Sequence, residues 1–367
     1  MSNTSEMKGL REKFPALQDC IYANTAATGL LSTDLFEWRK KHDLQYLQEG
    51  SKMKQRGFEE MHLVNQEVGN FFGCRKANVA LTPNFSLALN LLLEGLSKNQ
   101  KVLLLKNDYP SLNWVFETRN FNREYIPIDA NLEETIYTTV KTKGIDILAL
   151  SVIQWINGIK IDLKFLKKLK TEFPGLMIIA DGTQFCGTQK FDFEESGIDI
   201  LGASTYKWLL AGYGNAFLLV KEYIKDRFDL KAIGNGSVDR DITKRDDIPF
   251  CKHLEPGHLD SLNFGSLKFS LQFLQGIGRE KIERYLKNMS QKAKYELSEL
   301  GLLEESVEQR TEHSTIFNIK GDRALYKRLR SNEVVCAQRG SGIRLSFHIY
   351  NTEDEVDRIV KILQSER

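Results

Sequence analysis

The sequence predicts an α/β protein: a mostly parallel sheet covered by helices on both faces, followed by a smaller α/β unit. Two observations carry this. Near-continuous apolar runs of four to eight residues alternate with helical patterns from residue 79 to 220, which is how strands buried on both faces read. A long helical stretch at 261–300 then leads into a second, shorter series of strands and helices.

Taken in order, residues 1–20 read as an amphipathic arm leading into the core, and 21–32 (IYANTAATGLLS) as a loop of small residues that lets backbone approach something closely. On the residues alone, a tight turn before a helix is the simpler reading of that loop. Apolar positions at helical spacing fill 35–72. A short strand at 79–83 (VALTP) runs into a helix at 84–96, whose first turn holds Asn84 and Ser86. Such a start serves as an ordinary N-cap or as an anion site, because its first N–H groups and dipole face outward. Strands follow at 101–106, 146–153, 176–182, 200–205 and 216–220, with helices at 131–143 and 162–172 between them. The segment 221–260 is polar and irregular, suited to covering an edge. The tail has strands at 314–320, 333–339 and 343–349 and a closing helix at 353–364.

Composition narrows the class. The 367 residues allow two domains, and 41% hydrophobic with 27% charged content is ordinary for a globular chain. A net charge of +2 argues against a nucleic-acid partner. No apolar run approaches the length of a membrane span, the N-terminus lacks a signal-peptide core, and a cytoplasmic location is expected. The five cysteines are scattered without a CxxC pair, so neither a metal site nor a disulfide framework is expected.

The chemistry concentrates at 176–220. Asp181 ends an apolar run, as an acid delivered to a sheet edge would. Lys207 stands among Ser204, Tyr206 and Trp208, a setting that keeps an ammonium from water and lowers its pKa. A lysine of that kind suits Schiff-base chemistry. Tyr109 and Gln154 also follow apolar runs, so four chemically capable residues are expected at the carboxyl ends of strands.

The motifs ADGTQ (180–184), STYKW (204–208) and GIRLSFHIYNTEDEVD (342–357) resemble those of the class V aminotransferase family of fold-type I pyridoxal-phosphate enzymes, which includes cysteine desulfurases, selenocysteine lyases and isopenicillin-N-epimerase-like proteins. The resemblance runs from 22–31 to the tail. It implies a seven-stranded-type sheet in a large cofactor domain over 21–260 and a linking helix with a small C-terminal domain over 261–367. It implies pyridoxal 5′-phosphate as cofactor, with Lys207 joined to its aldehyde and moving the Cα proton, and Asp181 on the pyridine nitrogen. Gln184 is expected on the phenolic oxygen and Tyr109 on the ring face. Asn84, Phe85, Ser86, Ser204 and Tyr206 are expected around the phosphate. Arg344 is expected to clamp the substrate carboxylate, with Ala27 facing the substrate.

The chain departs from the family pattern at four points. Tyr206 replaces the usual His before the lysine, and Asn84-Phe85 replaces Gly-Thr. His258 stands where many relatives place a Thr that reaches the partner subunit's phosphate. No cysteine occupies the desulfurase loop; Cys336, in the strand-like 333–339, reads as a core residue. The resemblance therefore implies a homodimeric enzyme acting on an amino-acid-like substrate, with aminotransfer as the default. A desulfurase or selenocysteine-lyase type of cleavage, or a non-catalytic protein that keeps the fold, are the alternatives.

Overall fold

A computed structural model describes residues 9–365, so the first eight residues of the expected arm lie outside the described residues. The strands, in chain order, are β1 (Ile21–Tyr22), β2 (Val79–Thr82), β3 (Lys101–Leu105), β4 (Asn122–Ile126), β5 (Ile147–Ser151), β6 (Met177–Asp181), β7 (Ile200–Ser204), β8 (Ala216–Val220), β9 (Ile316–Lys320), β10 (Val334–Val335), β11 (Ala337–Arg339) and β12 (Gly342–Ser346).

Seven of these form the central sheet, in the order β2-β8-β7-β6-β5-β3-β4. Pairings from β7 to β4 are parallel, and β8 runs antiparallel to both of its neighbours. Thr82, Leu105, Ser151, Asp181 and Ser204, the last residues of five strands, therefore meet at one edge.

The sheet is held by two cores. Leu103, Leu105, Leu148 and Leu150 belong to one, and Val102, Leu104, Ile147 and Ala149 to the other. Alternate residues of each strand thus face opposite helical layers, which explains why the runs are apolar throughout. Each such Leu, Val or Ile contributes roughly 1.5–3 kcal/mol by leaving water.

The predicted strands at 79–83, 101–106, 146–153, 176–182, 200–205 and 216–220 all form. β4 was not anticipated: its sequence NREYI is mostly polar because it is an edge strand paired only with β3. Helical stretches expected to be continuous are broken by glycines. The pattern at 35–72 becomes helices Thr33–Glu49 and Lys52–Phe72, with Gly50 at φ +52° between them. The stretch at 261–300 becomes Ser261–Ile277 and Arg279–Glu299, and Gly278 at φ +101° makes the break, a conformation L side chains avoid.

The C-terminal part carries a three-stranded antiparallel sheet, β11-β12-β9. The expected strand at 333–339 is two short strands that part at Cys336. β10 pairs in parallel with β1, and Asn24 bridges Ser346, so the chain's two ends are stitched together beside the central sheet. Among the described residues no helix is long and apolar enough to cross a membrane.

Candidate active site

Asp181 is fixed by its own strand end. It is buried at the last position of β6, and its Oδ1 accepts the Thr183 N–H at 2.8 Å. Burial raises its pKa to about 6, against the Thr183 hydrogen bonds and the nearby Lys207 charge, which both lower it. No cation forms an ion pair with it among the described residues.

Lys207 follows β7 by three residues and is also buried. Burial lowers its pKa to about 8, and the Arg344 charge adds to the fall while Asp181 opposes it. Its Nζ lies 5.5 Å from the centre of the Tyr109 ring and 5.4 Å from that of Tyr206. The turn that places Lys207 rests on the small-residue loop at 21–32. Gly29 donates its N–H to the Tyr206 carbonyl at 2.8 Å, and a Cβ on Gly29 would stand 2.1 Å from the Lys207 carbonyl oxygen. What that loop approaches so closely is therefore the lysine's own backbone, and Ala27 lies half-buried on its outer part.

Gln184 is held on both sides. Its Nε2 donates to the Ala26 carbonyl at 3.0 Å, and its Oε1 accepts from Trp208 Nε1 at 2.7 Å. Behind Trp208 the buried His348 donates its Nε2–H to the Trp208 carbonyl at 3.0 Å, and burial keeps that imidazole neutral with a pKa of about 3. Gln184, Asp181, Thr183, Lys207, Tyr109 and Trp155 line one small cleft. Tyr109 and Trp155 meet edge to face at 5.7 Å and form its aromatic wall.

Arg344 reaches this cleft from β12. It is buried, and its Nη1 donates to the Trp155 carbonyl at 2.6 Å, while Nε is buried without a partner. Burial lowers its pKa to about 10. A buried guanidinium with one backbone acceptor and no carboxylate is costly unless an anion completes it.

The expected phosphate turn sits at the start of helix Phe85–Glu94. Asn84 is exposed and caps the helix through Oδ1, which accepts from Leu87 N at 2.9 Å. Ser204 Oγ accepts the Phe85 N–H at 3.0 Å, which leaves the Ser204 hydroxyl proton free to donate. The Phe85 ring is buried in the core against Gly202 and its N–H is taken by Ser204, so this residue orients Ser204 and presents no donor of its own to the site. Ser86 is half-buried on the same first turn. Tyr206 stacks on the exposed Tyr213 at 4.5 Å, and burial raises its phenol pKa. His258 is not brought to the cleft of its own chain; it is exposed and packs edge-on against Phe58 at 5.7 Å.

One group escaped the sequence reading. Asp108, fully buried one residue before Tyr109, accepts from Tyr109 N at 2.7 Å, Ser151 N at 2.8 Å and Gln154 Nε2 at 3.5 Å. It ties the aromatic wall to the end of β5. All five cysteines have thiols raised by burial, Cys336 to about 11, and none lines the cleft.

An amine held at this pKa beside a buried carboxylate belongs to enzymes that work through carbonyl chemistry on amines. The family model for aminotransferase class-V matches residues 21–359, and the chain belongs to that family. Relatives include an uncharacterised aminotransferase, YcbU, of Bacillus subtilis, 24% identical over 94% of both chains, and a probable cysteine desulfurase of Pyrococcus abyssi, 24% identical over 97% of this chain and 96% of that one. The fold is that of a cysteine desulfurase from Thermococcus onnurineus, with TM-score 0.83 at 18% identity over 97% of each chain. It is also that of the cystine C-S lyase C-DES in complex with cysteine persulfide, with TM-score 0.84 at 17% identity over 96% of this chain and 99% of that one.

The cofactor of this PLP-dependent enzyme is pyridoxal phosphate, and the side chains fit it. The uncompensated Asp181 carboxylate, the aromatic wall and the hydroxyl-bearing helix start suit its ring nitrogen, its ring face and its phosphate respectively. An amine attacks an aldehyde only in its free form, so if Lys207 is the acceptor, uptake of the cofactor aldehyde by the apoprotein is expected to quicken with rising pH and level off above about 8. Stopped-flow absorbance from about pH 6 to about pH 10, which spans the lowered value and ends just below the ordinary lysine value, checks this. A profile still rising at the upper end of that range would show an unperturbed lysine instead.

Proposed function

We propose that this chain is an aminotransferase of the class V type, acting on an α-amino acid. The observation that carries the reading is one buried amine, Lys207, close enough for the charges of both Asp181 and Arg344 to act on it, with no ion pair to Arg344 among the described residues and no thiol in the cleft lining. When bound, pyridoxal phosphate supplies the electron sink for charge developing at the substrate Cα. Asp181 would hold a proton on the ring nitrogen, and Arg344 would fix the α-carboxylate through its fork of N–H donors. Tyr109 would stack against the ring face, and Gln184, already anchored by Ala26 and Trp208, would offer its remaining N–H to the phenolic oxygen. The hydroxyls of Ser86 and Ser204 and the Ser86 N–H, the one of the helix's first three that neither Ser204 nor Asn84 accepts, would hold the phosphate, with Tyr206 beside them. Lys207 Nζ would take the Cα proton and return it at the cofactor's former aldehyde carbon, which is the proton movement aminotransfer requires.

A second reading, elimination from a sulfur amino acid without a protein thiol, is supported by the two tyrosines flanking the Lys207 amine, either of which could protonate a leaving thiolate. A persulfide-forming desulfurase is disfavoured, because it needs an accessible low-pKa thiol and the cysteines here are held the other way. Incubation of the holoenzyme with single amino acids separates the three. Aminotransfer gives a keto acid and, with an added keto acid, a second amino acid. Pyruvate, ammonia and sulfide from cysteine with no acceptor would replace this reading by elimination, and alanine formation lost in Cys336→Ala would replace it by desulfuration.

The working unit is proposed to be a homodimer, the exposed Leu47, Leu87 and Tyr213 being covered by the second copy and His258 reaching the partner's phosphate site.

A further inference from the structure

The β11–β12 hairpin carries two arginines, and only Arg344 has a task so far. Register pairs Ala337 with Arg344 and Arg339 with Gly342. Side chains alternate along a strand, so Arg339 and Arg344 project from the same face as diagonal neighbours, within reach of long side chains. The residue opposite Arg339 is Gly342, which has no side chain to stand in the way. The hairpin tip lies over the cleft wall: a Cβ on Gly340 would be 3.2 Å from Ile156 Cγ2, and Ile156 follows the Trp155 whose carbonyl accepts from Arg344. The backbone of Arg339 is fixed there by Asn318 Nδ2, which donates to its carbonyl at 2.9 Å.

The Arg339 guanidinium itself is uncommitted. Its hydrogen bond goes to the neighbouring Gln338 carbonyl at 2.8 Å, and no carboxylate pairs with it among the described residues. Burial is the main cause of the low pKa values of Lys207 and Arg344, and the Arg339 charge lowers both further, so it lies close enough to act at the site. The acids of the cleft, Asp181 and Asp108, sit at the buried ends of the central strands and are held by backbone N–H groups. One face of the hairpin thus carries two arginines beside the cleft, Arg344 buried and Arg339 exposed toward solvent, and a single α-carboxylate satisfies one of them.

We propose that the substrate is an amino acid whose side chain ends in a second acidic group, and that Arg339 is the residue that selects it. This rests on the reading of Arg344 as the α-carboxylate clamp. An acid two or three carbons beyond Cα would lie on the same hairpin face as Arg339, where a neutral side chain leaves the guanidinium to solvent.

Binding to the holoenzyme of glutarate against pentanoate, which differ by one terminal carboxylate, tests the inference without any turnover. Glutarate is expected to bind at least about tenfold more tightly, and Arg339→Gln to erase the difference while leaving pentanoate unchanged. Kinetics give the parallel result: kcat/KM for glutamate or aspartate falls about tenfold or more in Arg339→Gln, and kcat/KM for alanine holds. Equal binding of the two acids, or a loss in Arg339→Gln that is the same for both, would overturn the inference. A glutarate preference without turnover of any amino acid would sink the aminotransfer reading alone and leave the second acid site standing.

Discussion

Lys207→Ala is expected to remove turnover, with a loss of about 10²–10⁴-fold from proton transfer alone, and to remove the visible absorption of the reconstituted protein. The fold should survive. The fall in the lysine's pKa from 10.5 to about 8 means that its burial as an ammonium costs about 3 kcal/mol. That cost is present in full below pH 8, so deleting the group relieves it. Part of the relief is lost because Asp181 gives up the neighbouring charge that lowers its own pKa. Thermal unfolding of the apoprotein variant is therefore expected within about 1 kcal/mol of the parent. Small primary amines should restore some proton transfer, since the deletion leaves space between the Tyr109 and Tyr206 rings. A variant that keeps its activity would remove Lys207 from the chemistry; one that is inactive but also unfolded would be read against Lys207→Arg, which keeps the bulk and charge but not the free amine.

How much of this was legible before the structure differs between strands, site and surroundings. The strands were readable because burial on both faces makes them apolar throughout, and β4 was not, because an edge strand needs no such run. Asp181 and Lys207 were readable for a related reason: a charge at the end of an apolar run is costly to bury, so it is seldom kept there without a task. Asp108 obeys the same rule, three residues after the Leu105 that ends β3, but the more conspicuous Tyr109 beside it masks it. Its role is set by N–H groups of Ser151 and Gln154, more than forty residues away in sequence, and no local pattern encodes them. The helix breaks at Gly50 and Gly278 were hidden because helical periodicity continues across them, and only the positive φ reveals the turn. The tail strand at 333–339 was readable as extended but not as two pairings, since β10 takes its partner from β1, about 310 residues earlier in the chain. Arg344 was placed by resemblance, but its lack of an acid partner, on which the substrate argument turns, belongs to the tertiary structure alone.

Asp181→Asn should separate stability from function in opposite directions. Burial raises the folded pKa of Asp181 from 3.8 to about 6. Between those values the folded chain binds a proton that the unfolded chain does not, so Asp181 makes the apoprotein lose stability as pH rises from about 4 to 6, after which the loss is constant at about 3 kcal/mol. Asparagine keeps the shape and can still accept from Thr183 N without carrying the charge. At pH 7 the apoprotein variant is expected to be more stable than the parent by about 1–3 kcal/mol, and at pH 4 the two should converge. The holoprotein should behave otherwise. In the proposed role a protonated ring nitrogen is the cation that Asp181 lacks, so cofactor binding should stabilise the parent strongly and the variant weakly, and the order of melting temperatures should narrow or invert on loading. Activity should fall by at least about 10²-fold, because an amide cannot hold the proton that makes the ring an effective electron sink. Melting curves of apo and loaded forms at pH 4 and pH 7 decide it. A variant that is less stable than the parent as apoprotein at pH 7 would mean that the carboxylate is compensated within the chain, and Asp181 would then be a structural cap and not the group kept waiting for a cationic ring.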